Sequence, residues 1–301
     1  MADKKQVILI GLGRVGLAIG SRLVENGYIV NAFDRAEPHR TAAAGSGVLV
    51  HDSIEDAITA QMGTKVVFMM VPPQKTHDLV EQIRRRLSPD DVIIDAANSF
   101  FHDSINRHHD LADDGMHFVD CGTLYVSHEN TFDLTFMIGG SREIIENHKE
   151  LFIDIAGEQN VHHVGEAGSG HFSKMVHTAI EYGMIGAIAE GVNVLEEHKE
   201  GLGININEVL SSYRNDNVIE DKFIDWLSEA YNNRDSLESI ARVPKEPSEM
   251  DMEYLVEHEH VRVLDAALLQ RKLTRLEPSF LGSLIAGMKN TFAGTKKNDK
   301  T

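Results

Sequence analysis

The segment KMVHTAIEYG, residues 174–183, carries residue types that can perform acid–base chemistry among apolar neighbours. A helix rotates by about 100° per residue, so a helix through this segment places five polar side chains on one face. These are Lys174, His177, Thr178, Glu181 and Tyr182. A lysine and a carboxylate held together can move protons on one substrate, and burial would lower the pKa of Lys174 so that it acts as a base near neutral pH.

The same helix face becomes apolar further along, where it meets Ile185, Ile188, Val192 and Leu195. A solvated face does not normally change in this way, so we predict a buried face whose first two turns line a polar cavity. The alternative is structural, with Lys174 extending along apolar surface and pairing with Glu181. The glycine-containing segment AGSGH (167–171) precedes the helix, at a place suited to a substrate cleft between domains, and this position favours the cavity.

Strand-like and helix-like runs alternate in the first half of the chain. Runs typical of strands cover residues 6–10, 28–34, 65–71, 91–96, 117–122 and 134–140. Helical periodicity lies between them, as at 14–27 and 76–87. Strands that alternate with helices indicate an α/β fold with a doubly wound parallel sheet that is covered on both faces.

The second half of the chain is helical. From about Gly165 onward strand signals mostly stop, and helical runs cover residues 170–199, 206–214, 218–231, 253–276 and 280–292. RVPKEPSEMD (242–251) contains two prolines and is predicted to be a loop. We therefore predict two domains: 1–165, which holds the sheet, and 166–301, an all-helical domain for substrate binding and oligomerisation.

Gly11, Gly13 and Gly16 form the pattern G-x-G-x-x-G between a strand run and a helix. The next strand run ends at Asp34, close to the ~20-residue offset of a ribose-binding acid. The glycines let the backbone approach a pyrophosphate closely, and the helix N-terminus attracts its negative charge. This context favours a Rossmann NAD(P)-binding domain over a glycine turn without a ligand.

Asp34 would accept hydrogen bonds from ribose hydroxyls and repel a 2′-phosphate, which favours NAD over NADP. Arg35 could meet a phosphate, so NADP stays possible. The cofactor-binding residues predicted in this region are Gly11, Leu12, Gly13, Arg14, Val15, Gly16, Asp34 and Arg35. Val71 lies in MMVPPQ (69–74) at the end of a strand run, a stretch that either lines the ligand crevice or is only a loop stiffened by prolines.

Composition excludes several classes of function. The chain has 301 residues, 42% of them hydrophobic and 25% charged, and a net charge of −18, which would repel nucleic acid and anionic membranes. Cys121 is the single cysteine, and no segment approaches the ~20 apolar residues of a membrane helix. The N-terminus lacks the pattern of a signal peptide, so we expect a cytoplasmic protein. The spacing of the histidines fits no metal site, and no metal is predicted.

Nearly the whole chain resembles 6-phosphogluconate dehydrogenase, the decarboxylating enzyme, in its short bacterial form, and more broadly the β-hydroxyacid dehydrogenases. The most specific stretch is GHFSKMVHTAIEYGMIGAIAEG (170–191), which is similar to the run around the family's catalytic lysine. Four shorter stretches also match in place: IGLGRVG (10–16), MVPP (70–73), DAANS (95–99) and ALLQRKLTR (267–275).

The resemblance implies a role for each matching residue. Lys174 would be the general base and acid, Glu181 the second general acid, and Asn98 a contact to the nicotinamide side and to the substrate hydroxyl. The other implied substrate contacts are His177, Tyr182, Arg271 and Thr178, which stands where the family has an asparagine. The implied reaction of the pentose phosphate pathway and gluconate metabolism oxidises 6-phosphogluconate at C3 with NAD(P), and the β-keto acid then loses CO2 to give ribulose 5-phosphate without a metal. The apolar helices indicate a homodimer or homotetramer.

Three stretches depart from the family pattern. Leu124, Tyr125 and Val126 stand where the family places a Ser-Gly-Gly loop against the substrate carboxylate. VPKEPSEMD (243–251) replaces a loop that supplies polar ligands, and TFAGTKK (291–297) lacks the family's late histidine. Two alternatives therefore stay open: a dehydrogenase or reductase of a different β-hydroxy acid without a phosphate, and a catalytically weak paralogue that binds the cofactor.

Overall fold

The computed structural model describes residues 5–127, 132–214, 222–233, 243–245 and 248–292. The chain divides into two compact units, which we call unit 1 (Met1–Lys174) and unit 2 (Met175–Thr301). The functional assignment of domains 1–165 and 166–301 stays a proposal. No helix in the described ranges is long and apolar enough to cross a membrane.

Unit 1 contains an eight-stranded sheet with the order β3-β2-β1-β4-β5-β6-β7-β8. The strands are β1 Gln6–Ile10, β2 Ile29–Phe33, β3 Leu49–Val50, β4 Val66–Met69, β5 Val92–Asp95, β6 His117–Ser127, β7 Phe132–Gly139 and β8 Val161–Gly165. All neighbouring strands are parallel except β6 and β7, which pair antiparallel. The predicted parallel sheet is therefore parallel except for this one pair of strands. The short strands β3 and β8 were not predicted.

The helices of unit 1 lie between these strands. They are α1 Arg14–Glu25, α2 Glu37–Gly45, α3 Ile54–Ala60, α4 Pro73–Arg84, α5 Phe101–Ala112, α6 Arg142–Asn147 and α7 Lys149–Ala156. Helix α4 begins three residues before the predicted run 76–87 because Pro73 lies in its first turn, where a missing N–H costs nothing.

The alternating side chains of β1 show why the sheet is covered on both faces. Val7 and Leu9 pack in one apolar cluster together with Ile19 and Leu23 of α1. Ile8 and Ile10 pack in a second cluster, which includes Leu79, Val80 and Ile83 of α4. Successive strand residues point to opposite faces, so an uninterrupted apolar strand needs helices on both sides.

Unit 2 is helical wherever the structure describes regular elements in it. Helix α8 (Ser169–Leu202) begins in unit 1 and continues into unit 2, where α9 Ile206–Arg214, α10 Lys222–Asn232, α11 Ser248–His258, α12 Arg262–Leu276 and α13 Phe280–Phe292 follow. Ile185 and Val192 are buried in the core of unit 2, and Ile188 and Leu195 pack against it. The predicted apolar face of the long helix is therefore confirmed.

The prediction of one helix over 253–276 is wrong, because α11 ends at His258 and α12 begins at Arg262. Val261 has non-helical backbone angles (φ −117°, ψ 62°), and no glycine or proline marks the break in the sequence. Leu255 of α11 and Leu268 of α12 are both buried, so apolar residues occur on both sides of the break.

The predicted loop 242–251 is wrong at its end, because α11 already begins at Ser248. Residues 218–221 of the predicted run 218–231 and residues 242 and 246–247 of the predicted loop lie outside the described residues.

Candidate functional site

The glycine loop after β1 packs against neighbouring backbone at two of its three glycines. Gly11 has a φ of +99°, and a Cβ there would lie 2.3 Å from the carbonyl oxygen of Met70. A Cβ at Gly16 would lie 2.1 Å from the carbonyl oxygen of Gly11. A Cβ at Gly13 would meet nothing within 4 Å, so the space above the start of α1 is open. This loop therefore fits a pyrophosphate that approaches the backbone at Gly13.

Asp34 follows β2 and is tied to the glycine loop by its carboxylate. The N–H of Leu12 donates to Oδ2 at 2.7 Å, and the N–H of Ala36 donates to Oδ1 at 2.7 Å. Burial would raise the pKa of Asp34, but the two N–H donors and His39 outweigh burial, and the pKa lies below its ordinary value. Asp34 is therefore an anion at neutral pH, and Oδ2, whose donor among the described residues is the N–H of Leu12, keeps a lone pair for a ribose hydroxyl.

The other residues predicted around the adenosine end differ in exposure. Arg14 and Arg35 are exposed, and Val15 packs against the core of unit 1. Arg40 was missed by the sequence reasoning: its guanidinium donates to the carbonyl oxygens of Asp34 and Arg35 at 2.8 and 3.0 Å. The available signal was a basic side chain on α2, six residues after the acid.

Val71 and Asn98 follow the carboxyl ends of β4 and β5. Val71 is half-buried, and Asn98 is exposed on a turn that Asp95 organises. The buried carboxylate of Asp95 accepts hydrogen bonds from the N–H of Ala97 at 3.1 Å and from the hydroxyl of Ser99 at 2.8 Å. Asp95 was not predicted, because its role depends on the turn geometry rather than on a spacing.

Lys174 lies in the first part of α8, against strand β6. A Cβ at Gly122 would lie 2.8 Å from the Cβ of Lys174 and 2.4 Å from the carbonyl oxygen of Gly170. In the sheet the pairing of β5 with β6 ends at Asp95 and Asp120, so Gly122 and the turn with Asn98 both follow the last residues that pair these two strands. Unit 1 thus brings the predicted base to the edge of the sheet where the glycine loop and Asn98 also lie.

Further along α8 the predicted residues differ in burial. Glu181 and Tyr182 are buried, Thr178 is half-buried and His177 is exposed. Since α8 is continuous from Ser169 to Leu202, Lys174 and Glu181 lie two turns apart on one helix, as predicted from the period.

In unit 2 the ring of Tyr182 lies against two cations. The guanidinium of Arg271 and the ammonium of Lys289 are each 3.9 Å from the ring centroid, and Lys289 also donates a hydrogen bond to the Tyr182 hydroxyl. Both residues were predicted to contact the substrate. The structure brings Tyr182 and Arg271 together, which agrees with one shared site. Lys289 was missed, although it is the one charged residue of FLGSLIAGMKNTF (280–292).

Glu249 holds the arginines of α12 from the segment that was predicted to be a loop. Its carboxylate is fully buried and accepts hydrogen bonds from both terminal nitrogens of Arg275, at 2.7 Å for Nη1. The Nε of Arg271 lies 3.8 Å from the same carboxylate. Burial of this ion cluster is tolerable because the carboxylate has guanidinium partners on two sides.

The profile of the NAD binding domain of 6-phosphogluconate dehydrogenase matches residues 6–165. The chain belongs to the family of 6-phosphogluconate dehydrogenase. The family is one of NAD(P)-dependent oxidoreductases, and the prediction of a nicotinamide cofactor is confirmed.

Two relatives are similar over most of the chain. The first is a Bacillus subtilis (strain 168) protein named "Putative 6-phosphogluconate dehydrogenase YqeC", 29% identical over 95% of this chain and 97% of its own length. The second is the NAD(+)-dependent, decarboxylating 6-phosphogluconate dehydrogenase of Haloferax volcanii, 30% identical over 77% of this chain and 76% of its own length.

The fold is shared with a solved structure of 3-hydroxyisobutyrate dehydrogenase from Mycobacterium tuberculosis. The TM-score is 0.72 at 19% identity, and the match covers 96% of this chain and 99% of that one. The predicted fold class, a Rossmann sheet followed by a helical region, is thereby confirmed.

Proposed function

We propose that this protein is an NAD-dependent dehydrogenase of a β-hydroxy acid in which Lys174 exchanges a proton with the substrate hydroxyl. The observation that carries the proposal is the position of Lys174 against Gly122, which follows the last residues that pair β5 with β6. Asn98 and the glycine loop lie at the same edge of the sheet, where ligands of doubly wound folds bind.

The chemistry divides between the cofactor and the chain. NAD, when bound, accepts the hydride that leaves the carbinol carbon. The neutral amine of Lys174 takes the hydroxyl proton as the C–O bond becomes a carbonyl, and Asn98 holds the same oxygen in place. In a plain oxidation the proton on Lys174 then passes to solvent; where the keto acid loses CO2, the ammonium of Lys174 returns its proton to the enediolate that is left and Glu181 supplies a second one.

For the substrate we propose 6-phosphogluconate, which the names of the two relatives support. Oxidation at C3 gives a 3-keto acid, the bond to the carboxylate breaks, and CO2 leaves while the electron pair moves onto the ketone. Lys174 protonates the resulting enediolate oxygen, and Glu181 protonates the carbon. Arg271 and Lys289 at Tyr182 are cations of the kind that bind a phosphate or a carboxylate.

A different β-hydroxy acid is the second candidate, and one observation favours it. Leu124 and Tyr125 are paired with Thr135 and Leu134 in the β6–β7 hairpin, and Tyr125 packs against the core of unit 1. Strand pairing occupies the backbone there, and bulky side chains replace the glycines of the family's Ser-Gly-Gly loop. The substrate carboxylate would then be held by other groups.

The test follows reduced nicotinamide and CO2 release with 6-phosphogluconate and with a panel of β-hydroxy acids that lack phosphate, each with NAD and with NADP. Lys174→Met is expected to lower kcat by about 10²–10⁴-fold while the Kd of NAD stays unchanged, because only the proton transfer is lost. The matched control is Lys149→Met, since Lys149 is a half-exposed lysine of α7 paired only with Glu146 in its described ion pairs.

An unchanged kcat in Lys174→Met would contradict the assignment of the base. Turnover restricted to acids without phosphate would select the second candidate. If the wild-type protein binds NAD but turns over no acid in either group, the dehydrogenase proposal fails and the reading as a cofactor-binding paralogue replaces it.

We also propose a homo-oligomer. Apolar side chains on two helices are more than 40% exposed, among them Ile180 and Met184 of α8 and Leu269 and Leu273 of α12. Such exposed apolar residues are typical of surfaces that a second subunit covers. Light scattering that gives the mass of one chain would contradict this proposal.

A further inference from the structure

Asp120 is a buried carboxylate beside the start of α8 that the proposed chemistry does not use. It ends the parallel part of β6 and has no exposed surface. Its Oδ1 accepts the N–H of Gly168 at 2.6 Å, and its Oδ2 accepts the N–H of His171 at 2.8 Å. The first N–H groups of a helix have no partners within the helix, so Asp120 satisfies two of them and places its charge at the positive end of the helix dipole.

His171 ties the same turn to a second element. Its side chain is 3% exposed, and Nδ1 lies 2.7 Å from the hydroxyl of Ser104 on α5. The ring of the next residue, Phe172, meets the ring of Phe101 edge to face at 4.9 Å. The first turn of α8 is therefore held from β6 and from α5.

Three glycines let this turn lie directly on the strands. A Cβ at Gly139 would lie 2.5 Å from Oδ1 of Asp120, and a Cβ at Gly170 would lie 2.4 Å from the carbonyl oxygen of Met137. The third is Gly122, whose added Cβ would meet Lys174. With no side chains between helix and strands, a shift of the first turn moves Lys174 by a similar amount.

We propose that Asp120 is a positioning residue for Lys174: its carboxylate fixes the first turn of α8 against β6 and thereby sets where the lysine amine lies. This inference rests on the proposed function, in which Lys174 is the base. A displacement of about 1 Å in a catalytic group can reduce turnover by about 10²-fold, so even a small loosening of the turn is measurable.

The unit offers a matched control in Asp91. This carboxylate is 1% exposed and accepts two backbone N–H groups, that of Lys65 at 2.6 Å and that of Ser88 at 2.8 Å. It precedes β5 and so lies at the opposite edge of the sheet from Asp120. Asp120→Asn and Asp91→Asn each replace one oxygen of a carboxylate that accepts two backbone N–H groups at 2.6 and 2.8 Å. If the role of Asp120 were purely structural, the two variants would lose stability and activity alike.

We expect Asp120→Asn to lower kcat by about tenfold or more with the substrate KM and the Kd of NAD within about twofold of wild type. Asp91→Asn is expected to lower Tm by a similar amount and to keep kcat within about twofold. Asp120→Asn with wild-type kcat, or an equal loss of kcat in both variants, would overturn the proposal.

A second readout does not depend on turnover. The rate at which pyridoxal 5′-phosphate and borohydride label Lys174 is measured by peptide mass spectrometry, with exposed Lys149 as the internal standard. Because Lys174 is half-buried, loosening its turn is expected to raise its relative labelling about threefold in Asp120→Asn and to leave it unchanged in Asp91→Asn.

Unchanged labelling in Asp120→Asn would overturn the positioning role even if the enzyme is active. If the wild-type protein turns over no hydroxy acid, the proposed function fails, but raised labelling in Asp120→Asn alone still supports a carboxylate that positions Lys174. The two failures are therefore distinguishable.

Discussion

Three carboxylates of unit 1 have other partners than the buried Glu249 of unit 2, although the buried Asp95 of unit 1 also lies 3.4 Å from a guanidinium nitrogen of Arg107. In unit 1, Asp34, Asp91 and Asp120 each accept two backbone N–H groups. In unit 2, Glu249 is held by the guanidinium of Arg275 and lies near that of Arg271. Backbone N–H donors carry no net charge, and the fold fixes their positions. Arginine side chains neutralise the carboxylate, and their own buried charge needs the carboxylate as a partner.

The difference separates two ways of building a site. In unit 1 the carboxylates order the turns that carry the glycine loop and the start of α8, so the geometry there is set mostly by backbone. In unit 2 the cations near Tyr182 come from α12 and α13, and their geometry depends on side-chain ion pairs. We therefore expect unit 2 to be more sensitive to removal of one charged partner.

The largest expected effect is in Glu249→Leu. It leaves the buried guanidinium of Arg271 without its carboxylate neighbour, and we expect a loss of about 3–5 kcal/mol in the free energy of unfolding. Urea unfolding followed by the fluorescence of Trp226 checks this, because the single tryptophan packs against the core of unit 2.

The matched control is Glu253→Gln, which breaks the pair of Glu253 and Lys272 on neighbouring helices. Both side chains are about 40% exposed, so the loss is expected to be about 0–1 kcal/mol. Equal losses in the two variants would contradict the claim that burial makes the Glu249 cluster critical.

The next effect compares two glycines of the cofactor loop. In Gly16→Ala the new Cβ meets the carbonyl oxygen of Gly11, so we expect a loss of about 1–3 kcal/mol in stability together with weaker NAD binding. In Gly13→Ala the Cβ enters open space, so Tm is expected to stay unchanged while the Kd of NAD rises. Thermal unfolding and calorimetric titration of NAD separate the two, and a fall in Tm for Gly13→Ala would contradict the geometry.

The smallest effect is expected for Asp34→Asn, which converts one acceptor of the turn into a donor. We expect a loss of about 1 kcal/mol at neutral pH. Because the folded pKa of Asp34 is lowered, its stabilisation is complete above the ordinary aspartate range and disappears as the pH falls through the folded pKa. The difference in stability between wild type and variant should therefore shrink on acidification.

The same variant also tests cofactor choice. Removing the negative charge is expected to reduce the preference for NAD over NADP, measured as the ratio of their Kd values, with Arg35→Ala as the control for phosphate attraction. A difference in stability that grows toward low pH would contradict the pKa direction, and an unchanged Kd ratio would contradict the role of Asp34 in cofactor choice.

Local sequence patterns were sufficient to predict features that lie within one helix, one strand or one turn. The predicted helix 280–292 coincides with α13. The predicted run 170–199 lies inside α8, which begins one residue earlier and ends three residues later. The glycine loop and Asp34 were also found from spacing, since β1, the loop and β2 are consecutive in the chain. Contacts of this kind are fixed by short segments.

Local sequence patterns failed to predict features that depend on contacts between distant segments of the chain. No glycine or proline marks the break at Val261, and the antiparallel pairing of β6 with β7 was not predicted. Asp120 appears in the sequence as an ordinary strand residue, and its contacts with Gly168 and His171 arise only because the start of α8 packs beside it.

By itself the sequence determined that a Rossmann sheet precedes a helical region, that a nicotinamide cofactor is used, and that Lys174 and Glu181 share a helix face. Periodicity and glycine spacing encode these features within windows of a few turns. Only the tertiary structure decided which groups hold the lysine and which carboxylate holds Arg271 and Arg275. Those choices depend on packing between segments that are distant in the chain, such as Asp120 with His171, 51 residues apart, and Glu249 with Arg275, 26 residues apart, and no local pattern records such a contact.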